Sequence, residues 1–449
     1  MKKLLSALVI VVLLTGVAAT AANAQLTTTT SFQVQNLSST TAAHIQIQFY
    51  DASGNVVAAA TINDTIDAGK DKLYYQGTTP NLPSPFNGSV VVSSDQPVAA
   101  IGVQKTANAS GTQQYQGTYS GFASGADKFY VPVVMKGFYG YTTEISVQNA
   151  GANNCDVTIT YTPGGYTDTY TGLKPGQVHR FNNASTPSMP NNYIGAGTIT
   201  ASGGSVVAVV NQNYAAGLQQ QTYNGFSAAD AATTVYAPVV MKAFYGFNTS
   251  VQVQNIDTAT STTVTIYFYN PSTGALITSQ TSPSLGPGEG YLFTQHNNAS
   301  LPSNWIGTAR LVSSSSAKII AVVNQQNTST GKASSYNAFA NPSTRYVGPN
   351  VMKAFYGFNT SVQVMNVGAS ASTFTATFSN GTSQTSPSIP QYGSYLFTQH
   401  NNASLPSNWT GSVVATSASG TQQFVVIVNQ EGPSGVGDTS MSYNAIASP

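Results

Sequence analysis

Charge is what this 449-residue sequence most lacks. Asp, Glu, Lys and Arg together make up 6% of it, against about 25% in an ordinary globular protein. With a formal net charge of only +1, a broad basic footprint for nucleic acid or an anionic membrane is excluded. Little net charge also means little repulsion between molecules, which favours association. Cysteine is almost absent: Cys155 stands alone, so no disulfide framework forms within the chain, and a buried thiol acting as a small hydrophobe is expected. The four histidines, His44, His179, His296 and His400, make no HExxH or other ligand-spaced pair. There is no Gly-x-Ser-x-Gly elbow, and the carboxylates are scattered singly, so no acid pair of the glycosidase kind can be nominated. Catalysis needs titratable groups brought together, and this chain is short of them. The expectation is a protein that is not an enzyme, with no cofactor and no metal.

What is there can build a core. Hydrophobic residues make up 41%, with 25 Tyr and 19 Phe, which is not a disorder composition. The N-terminus reads as a secretory signal over residues 1–24. Lys2 and Lys3 supply the charged start, Leu4–Leu14 the apolar stretch and Ala22-Asn23-Ala24 the small-residue cleavage site. The apolar run is shorter than the ~18 residues needed to span a bilayer. Cleavage would start the mature chain at Gln25 and leave 13 basic against 14 acidic residues. A secreted, extracellular protein is expected, with no membrane insertion once the signal is removed and any cell attachment either non-covalent or made through a partner.

The chain also repeats itself. Val240–Val253 (VMKAFYGFNTSVQV) recurs letter for letter at Val351–Val364, and Tyr291–Trp305 recurs at Tyr395–Trp409. Looser copies begin at Tyr130 and Ser31. The period suits a self-contained small domain and is too long for a solenoid unit. Within a repeat, Ser250–Ile256 and Thr263–Tyr269 alternate apolar and polar residues, as half-buried strands do. Turn signals such as Asn270-Pro271-Ser272-Thr273-Gly274 separate them. The expected fold is all-β: four tandem immunoglobulin-like β-sandwich domains over residues 25–128, 129–234, 235–345 and 346–449. Tyr130–Lys136, Tyr236–Lys242 and Tyr346–Lys353 give three copies for four repeats, which reads as a connector strand between consecutive beads. No flexible Gly/Ser- or Pro-rich linker occurs at the junctions, so the expected shape is a semi-rigid rod.

A family resemblance rests on three short segments. Val147–Gly151 (VQNAG), Val157–Tyr161 (VTITY) and Leu173–Gln177 (LKPGQ) resemble bacterial Ig-like domains of the cell-adhesion-related, CARDB-like type. The last segment has counterparts at Leu285–Glu289 and Ile66–Lys70, whereas Ile389–Gly393 departs from it. The resemblance implies a sandwich fold and an extracellular scaffold or binding role, and no chemistry.

Candidate functional residues come from loops that stay unchanged while the strands around them drift. These are Phe244, Tyr245, Phe247 and Trp305 in the third repeat, with Phe355, Tyr356, Phe358 and Trp409 in the fourth. They fit a packed seam between domains, a recent duplication, or an aromatic platform on which sugar rings stack beside amide side chains. Asp51-Ala52-Ser53-Gly54-Asn55 alternates as the start of a calcium loop does, and equally as an ordinary hairpin turn. Sequons at Asn248, Asn298, Asn359 and Asn402 follow from a composition rich in Asn, Ser and Thr. The expected function is a secreted, non-enzymatic surface or matrix protein for structure or adhesion; the alternative is a multivalent carbohydrate-binding protein. Partners are then further copies, other surface proteins or a polysaccharide. With so few charges, any self-association should survive sodium chloride at ~0.5 M, where ion pairs are screened. Light scattering checks this, and dissociation by salt would contradict it.

Overall fold

Short β-branched segments punctuated by Gly, Pro and Asn do form strands here. A computed structural model describes residues 26–112, 114–214 and 219–448; the expected signal peptide lies outside the described residues. The first repeat contributes β1 (Thr27–Asn36), β2 (Ala43–Asp51), β3 (Ile62–Ile66), β4 (Asp71–Tyr75), β5 (Gly88–Ser94), β6 (Val98–Ala107) and β7 (Gln114–Ser120). The second contributes β8 (Lys128–Phe138), β9 (Tyr141–Asn149), β10 (Cys155–Thr162), β11 (Tyr166–Leu173), β12 (Val178–Asn182), β13 (Tyr193–Ser202), β14 (Val206–Tyr214) and β15 (Gln219–Asn224). The third contributes β16 (Thr234–Lys242), β17 (Asn248–Asn255), β18 (Val264–Tyr269), β19 (Leu276–Thr281), β20 (Gly290–Thr294), β21 (Trp305–Ser313), β22 (Ile319–Asn327) and β23 (Lys332–Asn337). The fourth contributes β24 (Arg345–Lys353), β25 (Asn359–Asn366), β26 (Phe374–Phe378), β27 (Ser383–Thr385), β28 (Ser394–Thr398), β29 (Trp409–Ser417), β30 (Phe424–Glu431), β31 (Ser440–Asn444) and β32 (Ile446–Ala447).

The third repeat shows the plan. One sheet runs β16-β21-β18-β19 and the other β20-β17-β22-β23, antiparallel throughout. Val251, Val253 and Phe293 from one sheet share a core with Val264, Ile266 and Phe268 from the other. The sandwich is therefore present, but its strand order is not the immunoglobulin one. In that order the strand after the sixth pairs with the sixth. Here β22 follows β21 yet pairs with β17 in the opposite sheet, while the first strand, β16, takes the place beside β21.

The segments expected to be connectors are thus the first strands of repeats two to four: β8, β16 and β24 pair with β13, β21 and β29. Each carries a proline, Pro132, Pro238 or Pro349, where the register slips. Proline has no N–H to give the ladder, so a bulge is where a strand tolerates it. The bulge pulls the next residue's backbone out of the ladder, and a buried tyrosine takes its bonds. Tyr223 Oη donates to Val133 O (2.8 Å) and accepts from Val133 N (3.2 Å). Tyr336 does the same for Val239 and Tyr443 for Asn350. Among the described residues, the first repeat has no such first strand; its sheets are β3-β2-β5 and β4-β1-β6-β7.

The rod is overturned. The strands β7, β15, β23 and β31 each lie against two others of this set, and the cycle closes from β31 back to β7. A girdle of side chains follows the same circuit. Asn224 Nδ2 donates to Ser120 O (2.7 Å), Asn337 Nδ2 to Asn224 O (2.8 Å), Asn444 Nδ2 to Asn337 O (2.6 Å) and Ser120 Oγ to Asn444 O (3.0 Å). A second tier lies along the strands. Gln212 and Asn324 exchange two bonds (3.1 and 2.9 Å), Gln325 Nε2 donates to Ser442 Oγ (3.0 Å) and Thr118 Oγ1 to Ser442 O (2.9 Å). The accessible surface, 17,487 Å² for 46.6 kDa, matches a closed body. A compact monomer of that mass exposes about 16,000 Å², and four separate quarters would expose about 23,000 Å².

The physical reason is that the polar faces are not wet. Gln148, Gln252 and Gln254, which alternation assigns to solvent, are buried, so these strands are covered on both faces. The Leu173–Gln177 turn and its counterparts serve the same closure by docking on the preceding repeat. Gln177 Nε2 donates to Ala52 O (2.9 Å), Thr308 Oγ1 to Tyr392 O (2.6 Å) and Lys70 Nζ to Ser379 O (2.8 Å). Apolar cores also run across the boundaries: Ile256, Ile320 and Val322 of the third repeat belong to the second repeat's core.

The loop after β30 ties all four repeats together. Gln114 N donates to Val436 O and Asp438 N to Gln114 O, both at 2.9 Å. The buried Asp438 carboxyl accepts from Gln220 N (3.3 Å), Ala333 N (3.0 Å) and Ser440 N (3.2 Å). Burial pushes this carboxyl from the ordinary 3.8 up to about 8, against those three N–H donors and with the Glu431 charge acting in the same direction as burial. A folded state that holds a proton the unfolded chain releases is stabilised below the unfolded value and loses that stability as pH rises through the folded one. The melting temperature should therefore fall between pH ~4 and ~8. In Asp438→Asn, which keeps the shape, that slope should largely vanish; thermal melts across this range check it.

Candidate functional site

The first and second strands of repeats two to four are joined by a hairpin whose sequence opposes its own geometry. In the third repeat Phe244 and Phe247 exchange backbone bonds (3.0 and 2.9 Å) around Tyr245 and Gly246. Both central residues have positive φ, 46° and 82°. That is a type I′ turn, the kind that favours Asn-Gly because a Cβ is strained there. Tyrosine takes the strained place at Tyr139 (φ 46°), Tyr245 and Tyr356 (φ 48°). The conformation is imposed from outside the turn. Ala243 N donates to Asn248 Oδ1 (2.9 Å), Asn327 Nδ2 donates to Tyr245 O (3.0 Å), and Lys242 Nζ anchors the strand end on Asn298 O (2.7 Å) and Leu301 O (2.8 Å). Lys353 repeats that anchor on Asn402 O and Leu405 O.

The tyrosine rings project into solvent: Tyr139, Tyr245 and Tyr356 are 81%, 82% and 81% exposed, well ahead of any other large apolar side chain among the described residues. Each rests edge-on against its neighbouring phenylalanine, with centroids 4.7 Å apart. The Asn-girdle contacts all lie at one end of the strands, so the repeats share one orientation. The first strand runs from that end to the hairpin, which puts all three tyrosines on the opposite side of the ring. Beside Tyr245 lies a cleft of 540 Å³ between the third and fourth repeats. Phe244, Tyr245 and Phe247 form one wall; Leu396, His400 and Glu431 stand on the other.

The eight candidate residues separate by burial. Tyr245 and Tyr356 are exposed, and Phe244, Phe247, Phe355 and Phe358 are half-buried beneath them. Trp305 is buried and Trp409 half-buried, each packed edge-on within its own repeat, against Phe268 and Phe378 at 6.0 Å. Sequence could not divide them, because all eight lie in loops repeated without change. The remaining signals are turn chemistry. Asp51 accepts from Ser53 N and Asn55 N (both 2.9 Å), folding the would-be calcium loop on itself. Asn298 and Asn402 are buried, while Asn248 and Asn359 cap the hairpins. Cys155 is buried, and burial pushes its thiol up. His179 stacks on Tyr170 at 4.0 Å, and burial pushes its pKa down. Among the described residues no three His, Cys, Asp or Glu side chains gather as metal ligands. No family model matches the chain, and no curated protein is similar to it.

The strain has a measurable consequence. Tyr245→Asn keeps the turn and removes a bulky side chain from the left-handed region, so it should raise stability by about 1 kcal/mol. Denaturant titration checks it; destabilisation would mean the tyrosine ring contributes packing that its exposure does not suggest.

Proposed function

We propose that the protein is a secreted, non-enzymatic attachment protein that grips polysaccharide through its repeated tyrosine hairpins. In this reading it comprises four β-sandwich domains over residues 25–128, 129–234, 235–345 and 346–449, distantly related to bacterial Ig-like adhesion modules and exported by the signal at residues 1–24. The observation that carries it is the recurrence of one strained, solvent-projecting tyrosine on three repeats, on one side of a ring. Backbone strain kept at three equivalent places is a feature of binding sites. An exposed aromatic face suits a sugar ring, whose axial C–H groups stack on it. The cleft beside Tyr245, with His400 and Glu431 opposite the aromatic wall, offers hydrogen-bonding partners for hydroxyls. Three weak sites held rigidly by one body act together on a polymer.

The reading as an extended structural layer loses its main premise with the rod. Adhesion through a compact, multivalent head keeps the rest of that expectation. The test is the triple variant Tyr139→Asn, Tyr245→Asn, Tyr356→Asn, assayed by pull-down on insoluble polysaccharides and on glycan arrays. Binding should fall at least tenfold while the melting temperature holds or rises. A wild-type protein that binds no glycan, or a folded triple variant that binds as well as wild type, would refute the proposal.

A further inference from the structure

Two departures from the repeat meet at one place. The turn that docks on the preceding repeat has glycine at positive φ in three copies: Gly69 (69°), Gly176 (74°) and Gly288 (77°). In the fourth copy that position is Tyr392, at φ 62°. The equivalence is fixed by the backbone, since Gly176 N, Gly288 N and Tyr392 N donate to Asn149 O, Asn255 O and Asn366 O. A side chain in the left-handed region is strained, and strain of this kind gathers at ligand clamps. The second departure is Arg310 in β21. Its counterparts are Thr198 in β13 and Val414 in β29, each opposite the residue two before the bulge proline.

The two side chains meet across the boundary between repeats three and four. Arg310 stands between Tyr236 of β16 and Tyr267 of β18. Its guanidinium carbon lies 5.1 Å from the Tyr267 ring centre and 5.0 Å from that of Tyr392. Tyr392 stacks on Tyr269 at 4.5 Å. Cation–π contact helps to dock the turn, but it leaves the charge and most of the donors unused. Nη1 donates to Tyr392 Oη (3.0 Å), whereas Nε is buried with no partner. Arg310 belongs to none of the ion pairs among the described residues. There the Tyr236 and Tyr267 hydroxyls also bond to no protein group. Arg310, Tyr236, Tyr267 and Tyr392 are all half-buried, so the cluster is partly dry and still open to a ligand.

We propose that Arg310, with Tyr236 and Tyr267, is a subsite for a sugar carboxylate, so that the polymer gripped is an acidic polysaccharide. The inference rests on the polysaccharide reading above and names the class of sugar. A planar guanidinium matches a carboxylate, and a charge-assisted bond is about twice as strong as a neutral one. The tyrosine hydroxyls supply further donors to the same anion, and the aromatic walls suit the ring that carries it. With a single cation in the cluster, a singly charged group is the one that fits.

The experiment measures the full-length protein on polygalacturonate and on alginate, each beside its carboxyl-reduced form, with dextran sulfate as a second anion. The wild type should prefer at least one acidic polymer to its reduced form by tenfold or more, and the preference should shrink as sodium chloride rises to ~0.5 M. In Arg310→Gln the ratio should fall to near one. Tyr236→Phe keeps the ring and removes only the hydroxyl, so it should lower the ratio about threefold and decides the matter if Arg310→Gln does not fold. The triple hairpin variant should weaken acidic and reduced polymers together and leave the ratio in place. A wild type that grips reduced polymers as well as acidic ones overturns this proposal and leaves the hairpin reading standing. A folded Arg310→Gln that keeps the preference overturns it too, as does an equal, Arg310-dependent preference for dextran sulfate. A wild type that binds none of these polymers sinks both readings.

Discussion

The fold depends on buried amide side chains that bond across the boundaries between repeats, although one oxygen each of Gln148, Gln252 and Gln254 is left without a partner. An interior amide without a partner loses its bonds to water and gains nothing in return. A wall of Asn, Gln, Ser and Thr therefore costs least to dry where its groups find complements across the boundary. Around the axis that complement is supplied by the next repeat. Asn224, Asn337 and Asn444 reach the backbone of their neighbours, and Ser120 closes the circuit. The repeats are related but not identical, and the girdle tolerates this because serine at the fourth position still places a hydroxyl on a carbonyl. Removing charge from the sequence is part of the same solution. Neutral amides can be buried at modest cost, whereas carboxylates and ammonium groups at those positions would carry a large desolvation penalty.

Rigidity at the centre makes strain affordable at the rim. The hairpin tyrosines keep left-handed backbone because Asn248, Asn327 and Lys242 hold the turn from three sides. Those groups stand on strands packed into continuous cores. A loop on a flexible bead would relax by exchanging tyrosine for asparagine or glycine in conformation or in sequence. Here the same exposed ring recurs at three places, each held by a strand-end lysine and a polar cap: Lys136 and Thr142, Lys242 and Asn248, Lys353 and Asn359, which is what a rigid multivalent surface requires.

Much was legible from residues alone, and for identifiable reasons. Strands such as Ser250–Ile256 and Thr263–Tyr269 show in the alternation because one face is aliphatic, and the repeat shows because whole loops recur. The chemistry-poor composition is equally plain. The candidate aromatics were found as a group, but their division into exposed tyrosines, supporting phenylalanines and internal tryptophans was not. That division depends on which loop residue lies at positive φ and which turns inward, and the carbonyl of Tyr245 is held by Asn327, 82 residues away.

Secondary structure, the two-sheet sandwich and the repeat all follow from local patterning, because strand propensity and turn residues act over a few positions. The closure of the ring, the immersion of the glutamine faces and the exchange of places between first and seventh strands follow from contacts between distant segments. A glutamine facing water and a glutamine facing another glutamine across a dry seam read the same in a sequence. Only the position of the partner separates them, and here the partner of Thr118 is Ser442, 324 residues on.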